Sequence, residues 1–376
     1  MKTVCQSCGT AFAGTSGHCA VCGGVCLRSD PWSAPPASAP SHTPLVRSRI
    51  PGLEGTWLKV EGANPSGSFK DRVMDVLVRE AVAEGAPGAV VASSGNAAVA
   101  AATHCARAGL PLLVLVPEQV PAPILAMVQL RGATILRAGE GPAAVHHLAK
   151  LVSGKYGLPN LASTFSASGC EWACRSIGHE IAAQLTDREV TTIAASVSVG
   201  PVLLGAARGL SESGRLFPRM VAGQAAGCAP IARAFSEGSA EVRPWEGPVE
   251  TRATSIADRL TGYAPEGTFF LNLVRAGNGT VGAADDARLR EIRTDLARYD
   301  GLDVELSSCA AVAALLESGL GGEESVCILT GAGVKETLTG WEPASPGAGV
   351  DEFFRSVLKD PGGAKEVDQW IHEYQL

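Results

Sequence analysis

What the chain has little of narrows its nature first. Charged residues make up 18% of 376, aromatics only 5%, and the balance of charge is -7. An acidic chain with so few basic side chains argues against nucleic acid or an anionic membrane as a partner. No uninterrupted apolar run approaches the roughly 20 residues of a membrane span. Met1-Lys2-Thr3 runs on to Cys5 without an apolar leader, so the expected location is the cytoplasm. A disulfide scaffold is also out of keeping, because the 11 cysteines are odd in number and Cys105, Cys228, Cys309 and Cys327 lie in apolar segments. Cysteines so placed behave as small core residues of a reduced compartment. Lysine is sparse beside arginine, which makes each lysine worth a question. What is plentiful is apolar sequence, 46%, with 44 glycines, enough for a large core and more than one domain.

The first four cysteines follow another rule. Cys5-x-x-Cys8 and Cys19-x-x-Cys22 form two knuckles, with Gly9 and Gly23 just behind them. That spacing can bring four thiolates round one tetrahedral ion, and the reading is a structural Zn2+ ribbon over residues 1–28. The alternative is a module that carries no metal. His18 and Cys26 stand nearby, but the paired spacing leaves them outside the ligand set. Residues 29–42, with DPWSAPPASAPSH, read as a Pro/Ala/Ser linker.

From residue 43 to 376 short apolar runs alternate with amphipathic helices. AVVAS precedes a helix from Ser94, LPLLVLVP one near Ile124, ATILRA one from Pro142 and TTIAASVS one from Val202; RMVAGQA and VCILTG follow. Such alternation predicts an α/β fold of parallel-type sheets covered on both faces, here with a smaller inserted subdomain at about residues 88–185. The tail, GVDEFFRSVLKD and KEVDQWIHEYQL, reads as amphipathic helix that packs on the body or on a second subunit.

Loops after strands are where such sheets bind ligands. The first to stand out is ANPSGSFKDRV, which puts Lys70 in the first turn of a helix, with Ser68 as the expected N-cap and Asp71 completing a capping box. The positive end of a helix disfavours a cation there, so the lysine looks misplaced unless its task is that of an amine. Ser93-Ser94-Gly95-Asn96 opens a helix with free N–H groups suited to a carboxylate, although Ser and Asn are also ordinary caps. Ser198-Val199-Gly200-Pro201-Val202-Leu203 has the strand, turn and helix layout of a phosphate nest. Leu329-Thr330-Gly331 leaves a buried hydroxyl at a strand end.

Taken in order, GANPSGSFKDR, SSGNAAVAAA, VGPVLLGAARGL, GQAAGCAPI and LTGAGVKE resemble the signature segments of the threonine synthase-like family of fold-type II pyridoxal-phosphate enzymes. The resemblance spans nearly the whole chain, ribbon and Thr43-Pro44-Leu45 segment included. It implies the tryptophan synthase β-like fold of two α/β domains and a homodimer. It also implies that Lys70 forms a Schiff base with pyridoxal 5'-phosphate and later moves the proton at Cα. Asn96 would bond the ring hydroxyl, and Ser93, Ser94, Gly95 and Asn96 the substrate carboxylate. Ser198, Val199, Gly200, Val202 and Leu203 would hold the cofactor phosphate, and Thr330 would face the ring nitrogen with a neutral hydroxyl.

Two segments depart from the family pattern. The phosphate loop has Pro201, with no N–H, and Val202, with no polar side chain. Where threonine synthases carry NSxNPxR for the substrate phosphate, this chain has NLASTFSASGCEWACR, with no arginine at the matching place; Arg175 or His179 could serve only with shifted geometry. Cys170 and Cys174 read as one core-facing helix stripe. The expected function is β- or γ-elimination or replacement on a serine- or homoserine-derived amino acid. The alternatives are threonine synthesis from O-phosphohomoserine, or a non-catalytic scaffold in which the ribbon docks a partner.

Overall fold

A computed structural model describes residues 2–13, 17–31, 42–118, 120, 122–139, 141–162, 164–336 and 349–373. The Pro/Ala/Ser stretch thus lies for the most part outside the described residues. The elements in chain order are β1 (Lys2–Cys5), β2 (Ala11–Ala13), β3 (Cys26–Arg28), β4 (Leu45–Arg47), β5 (Trp57–Val60), α1 (Lys70–Ala83), β6 (Ala89–Ala92) and α2 (Asn96–Ala108). Next come β7 (Leu112–Val116), α3 (Ala122–Gln129), β8 (Thr134–Arg137), α4 (Pro142–Tyr156), α5 (Ser168–Gln184), β9 (Thr192–Ser196), α6 (Pro201–Glu212) and β10 (Arg219–Ala225). The last are α7 (Pro230–Ser236), α8 (Ala264–Ala276), β11 (Thr280–Ala284), α9 (Asp286–Asp295), α10 (Cys309–Ser318), β12 (Ser325–Leu329), α11 (Val350–Glu352) and α12 (Gly363–Glu373).

Two compact units divide the chain: Met1–Arg72 with Thr164–Val334, and Val73–Ser163 with Lys335–Leu376. The first contains the antiparallel ribbon sheet β2-β1-β3 and a six-stranded sheet in the order β11-β10-β9-β12-β5-β4. All pairs in the larger sheet are parallel except β4 with β5, an antiparallel edge that the alternating pattern did not announce. Strands β9 and β12 are buried at every position, which is why TIAAS and SVCIL are continuous apolar runs rather than alternating ones. Against this sheet lies α10, buried from Cys309 to Leu315; its alanines let the backbone come so near that a Cβ on Gly223 of β10 would sit 2.0 Å from the Ala310 carbonyl oxygen.

Helices α5 and α6 touch backbone to backbone. A Cβ built on Gly178, Gly205 or Gly209 would meet a carbonyl oxygen of the other helix at 2.1, 2.4 or 2.0 Å. This packing places α5 in the first unit, so the second unit ends its first stretch at Ser163, short of the 185 expected for the inserted subdomain. The second unit is a parallel three-stranded sheet, β6-β7-β8, whose core includes Phe353, Phe354, Ala364 and Val367 of the tail. The amphipathic tail therefore buries its apolar face within its own unit. No helix among the described residues is long and apolar enough to cross a membrane.

Candidate functional site

In the first unit the segment around Lys70 is held by a buried ionic lattice. Arg72, 3% exposed, grips both oxygens of the fully buried Glu61 through Nε at 2.6 Å and Nη2 at 2.7 Å. It also donates to Glu180 at 2.5 and 2.9 Å, and Lys59 Nζ joins the same carboxylate at 2.8 Å. Thr43 Oγ1 and Asn64 Nδ2 complete the Glu61 shell at 2.7 and 2.8 Å. Burial raises the Glu180 carboxyl, but Arg72 and Lys59 outweigh it and hold the group below its ordinary value. Charges buried this deeply persist only when fully paired, so the lattice fixes the start of α1.

The expected capping box is not formed. Lys70 is the first residue of α1; the Asp71 carboxylate accepts from Ser66 N–H at 2.9 Å and Ser66 Oγ at 2.6 Å instead of serving the cap. Ser68 Oγ is buried without a hydrogen-bond partner among the described residues. Lys70 itself is half-buried, with Nζ 4.6 Å from the Phe69 ring centre. Ser68 forms an isolated bridge with Gly331, and Phe69 N–H donates to the Thr330 carbonyl at 3.0 Å. Lys70 and Thr330 are thus brought together by backbone pairing. The Thr330 hydroxyl lies 3.0 Å from Ser308 Oγ, which also accepts the Gly331 N–H at 3.0 Å. Ser308 was not singled out from sequence, since a serine in an apolar helix start carries no signal of its own.

The segment from Ser198 to Leu203 follows β9, the neighbour of β12. Gly200 takes φ +117°, a conformation that favours glycine, and a Cβ there would strike Phe270 at 2.2 Å. Among the described residues the N–H groups of Ser198, Val199, Gly200 and Val202 have no acceptor. Leu203 differs from expectation, because its N–H turns back to the Gly200 carbonyl at 3.1 Å. Four open amides at one helix start suit a phosphate even with Pro201 in the turn. Gln224, fully buried on β10, shapes this turn: Nε2 donates to the Val197 and Ser198 carbonyls at 3.4 and 3.2 Å, while Oε1 accepts from Ile231 and Ala232 N–H. It lies inside the GQAAGCAPI segment, but only tertiary contact reveals its task.

The second unit holds Ser93, Ser94, Gly95 and Asn96 between β6 and α2. Gly95 is the N-cap and no side chain caps the helix, so Asn96 is not an ordinary cap. Its Oδ1 accepts from Lys335 Nζ at 2.5 Å, both residues being buried. Lys335 escaped the sequence reading although LTGAGVKE contains it, because a lysine on an exposed turn looks the same in sequence.

In the ribbon the four Sγ atoms of Cys5, Cys8, Cys19 and Cys22 lie within 4.8 Å of one another, with 3.6 Å between Cys5 and Cys22 and 3.7 Å between Cys8 and Cys19. A tetrahedral zinc with bonds near 2.3 Å separates its sulfurs by about 3.8 Å, so the donor set fits. Ser7 and Cys8 N–H groups point at Cys5 Sγ and outweigh its burial, favouring its thiolate, and Val21 N–H points at Cys19 Sγ. The Thr10 hydroxyl is the main cause pulling the Cys8 thiol down to about 6. Cys26 is outside this group, buried, and pushed up to about 11 by that burial.

Arg175 and His179 are engaged elsewhere. Arg175, 1% exposed, is bound by Glu171 at 2.9 Å, by Glu212 at 2.7 Å and by the Arg28 and Asp30 carbonyls; His179 Nε2 lies 3.1 Å from Glu212. Cys170 and Cys174 are fully buried on α5, as the stripe predicted.

Lys70, Thr330 and the open-amide turn at Gly200 thus all lie in the first unit, at helix starts and a strand end. Residues 37–331 match the family described as Pyridoxal-phosphate dependent enzyme, and the chain belongs to it, in its threonine synthase-like branch. It is 33% identical over 304 residues to a threonine synthase of Methanosarcina acetivorans, covering 77% of this chain and 72% of that one. With a threonine synthase of Mycobacterium leprae it shares 30% over 324 residues, 82% and 86% of the two chains. Among solved structures, maize serine racemase aligns with TM-score 0.67 at 19% identity, over 78% of this chain and 88% of that one. An O-ureido-L-serine synthase aligns with TM-score 0.64 at 22% identity, over 82% and 95%. The protein is a pyridoxal-phosphate-dependent enzyme of amino acid elimination or replacement chemistry.

Proposed function

We propose that the enzyme carries out β- or γ-elimination or replacement on a serine- or homoserine-derived amino acid whose leaving group is not a bare phosphate. The observation that carries this reading is the engagement of Arg175. The arginine nearest the divergent NLASTFSASGCEWACR segment is held by two carboxylates and two carbonyls, and Thr164 and Ser166 there bond each other at 2.6 Å. A dianion needs a cationic fork that this segment does not offer.

Pyridoxal 5'-phosphate, when bound, supplies the electron sink that makes the Cα–H bond acidic. Lys70 is the amine that would hold the cofactor and would take and return the proton at the substrate Cα. The open amides of Ser198, Val199, Gly200 and Val202 would hold its phosphate, while the Leu203 N–H stays on the Gly200 carbonyl. Thr330, fixed by Ser308, would face the ring nitrogen with a neutral hydroxyl, and Asn96, oriented by Lys335, would bond the ring oxygen. Ser93, Ser94, Gly95 and Asn96 take the substrate carboxylate. Zn2+ in the four-cysteine site, residence in the cytoplasm and a homodimer belong to the same proposal, with metal content and light-scattering mass as their checks.

A second reading, threonine synthesis from O-phosphohomoserine, is favoured by the 30–33% identity to threonine synthases. Purified holoenzyme offered O-acetyl-L-serine, L-serine, O-phospho-L-serine and O-phospho-L-homoserine separates the two. Faster turnover of a substrate with an uncharged leaving group is the expected result. Release of threonine and phosphate from O-phospho-L-homoserine faster than any other product would sink it.

A further inference from the structure

The ribbon has no task in the chemistry so far, yet its second knuckle presses on the segment that sets the substrate pocket. A Cβ built on Gly17 would lie 2.0 Å from the Phe165 carbonyl oxygen, so the two backbones are in contact. His18 brings Nε2 to 3.0 Å from Glu266 Oε1, and Glu266 Oε2 accepts the Phe165 N–H at 3.0 Å. Glu266 is 1% exposed. The knuckle itself fixes Gly17 and His18: Cys26 N–H donates to the Gly17 carbonyl and Cys19 N–H to the Gly24 carbonyl, each at 2.8 Å, and His18 bridges Val25.

A second contact comes from the end of β3. The Arg28 guanidinium lies over the Trp172 ring at 5.2 Å, Arg175 donates to the Arg28 carbonyl at 2.8 Å, and Trp172 Nε1 donates to the Asp30 carbonyl at 3.1 Å. The middle of the divergent segment, at Phe165, and its C-terminal end, at Trp172 and Arg175, are therefore tied to the ribbon and to Asp30 just beyond it.

Helix α8 extends the connection. Phe269, three residues after Glu266, meets Phe165 edge-on with ring centres 5.5 Å apart, and Phe270, one turn after Glu266, fills the space above Gly200 in the open-amide turn. One helix thus touches the knuckle, the divergent segment and the phosphate nest.

We propose that the ribbon is a positioning element of the active site, which through Glu266 fixes the backbone of Phe165 and Ser166 and through α8 steadies the turn at Gly200. His18 and Glu266 are positioning residues. A metal closing the four thiolates would hold the knuckle in the shape that engages them, so the fit of the substrate side chain depends on a module outside the catalytic fold.

The test is backbone amide exchange in the full-length holoenzyme, read across residues 165–174, together with steady-state kinetics on whichever of the four amino acids above is turned over. His18→Ala is a mild change, since that side chain is 42% exposed, and Gln6→Ala on the exposed first knuckle is the control. His18→Ala, or removal of metal by a chelator, is expected to speed exchange by about tenfold, the scale of one lost polar contact at a buried carboxylate. KM is expected to rise severalfold, with kcat within about twofold. Gln6→Ala is expected to leave both unchanged. Glu266→Gln keeps an acceptor for the Phe165 N–H and is expected to exchange more slowly there than Glu266→Ala; equal rates would remove Glu266 as the link. Unchanged exchange in His18→Ala overturns the proposal whatever the activity. The kinetic arm rests on the functional reading above, whereas the exchange arm needs no substrate, so the two fail separately.

Discussion

Lys70 stands where a permanent cation is least welcome, at the first residue of α1, and the residues around it are arranged to keep it there. Arg72 takes the structural load of that turn through Glu61 and Glu180, which leaves Lys70 for the covalent role proposed above. Lys70→Ala is expected to abolish the visible absorbance of covalently held cofactor while moving the urea midpoint little; a variant that retained the band would remove Lys70 from its role. Lys335→Met should behave differently. It deletes a charged hydrogen bond to Asn96 inside the second unit, a loss of about 1.5–3 kcal/mol, and both stability and cofactor retention are expected to fall. Chemical denaturation and cofactor titration would report it. At this scale the sequence showed the residues whose type is odd for their place, such as Lys70, and missed those whose oddness exists only in three dimensions: Gln224, Glu266, Ser308 and Lys335.

At the scale of elements, the apolar runs announced β6, β7, β9, β10 and β12 because strands buried on both faces have little polar to interrupt them, and β8 through the buried pair Ile135-Leu136 between half-buried Thr134 and Arg137. β4 and β11 were not announced, since LVR and TVGAA are short or half-exposed and carry little apolar signal. The close approach of α5 and α6 depends on three glycines whose importance cannot be told from sequence, where a glycine in a helix looks like a weak point. Gly209→Ala drives a methyl into the Arg175 carbonyl, 2.0 Å away, and overpacking of this kind costs about 1–3 kcal/mol. A lower melting temperature is the expected outcome, where the same change in an exposed helix would raise it.

For the molecule as a whole, the buried lattice of Arg72, Glu61, Glu180 and Lys59 predicts how stability follows pH. The Glu180 carboxyl titrates lower in the folded chain than in the unfolded one, so the unfolded chain binds more protons between the two values. Its contribution is complete above the ordinary carboxylate range near about 4.3 and is lost as pH falls through the lower folded value. Urea midpoints measured from neutral pH downward should hold to about pH 5 and then drop, with Glu180→Gln already weakened at neutral pH and flatter below. A midpoint independent of pH in the acid range would contradict this.

The order of strands in the larger sheet also bears on how the chain is made. β12 lies between β9 and β5, so the edge pair β4–β5, near the start of the chain, reaches the rest of its sheet only through a strand that begins at Ser325. During synthesis that pair leaves the ribosome long before its parallel neighbour exists. Residues 45–60 must wait, exposed along one edge, for most of the chain to be translated. Truncation anywhere before β12 is therefore a lesion of assembly as well as of chemistry.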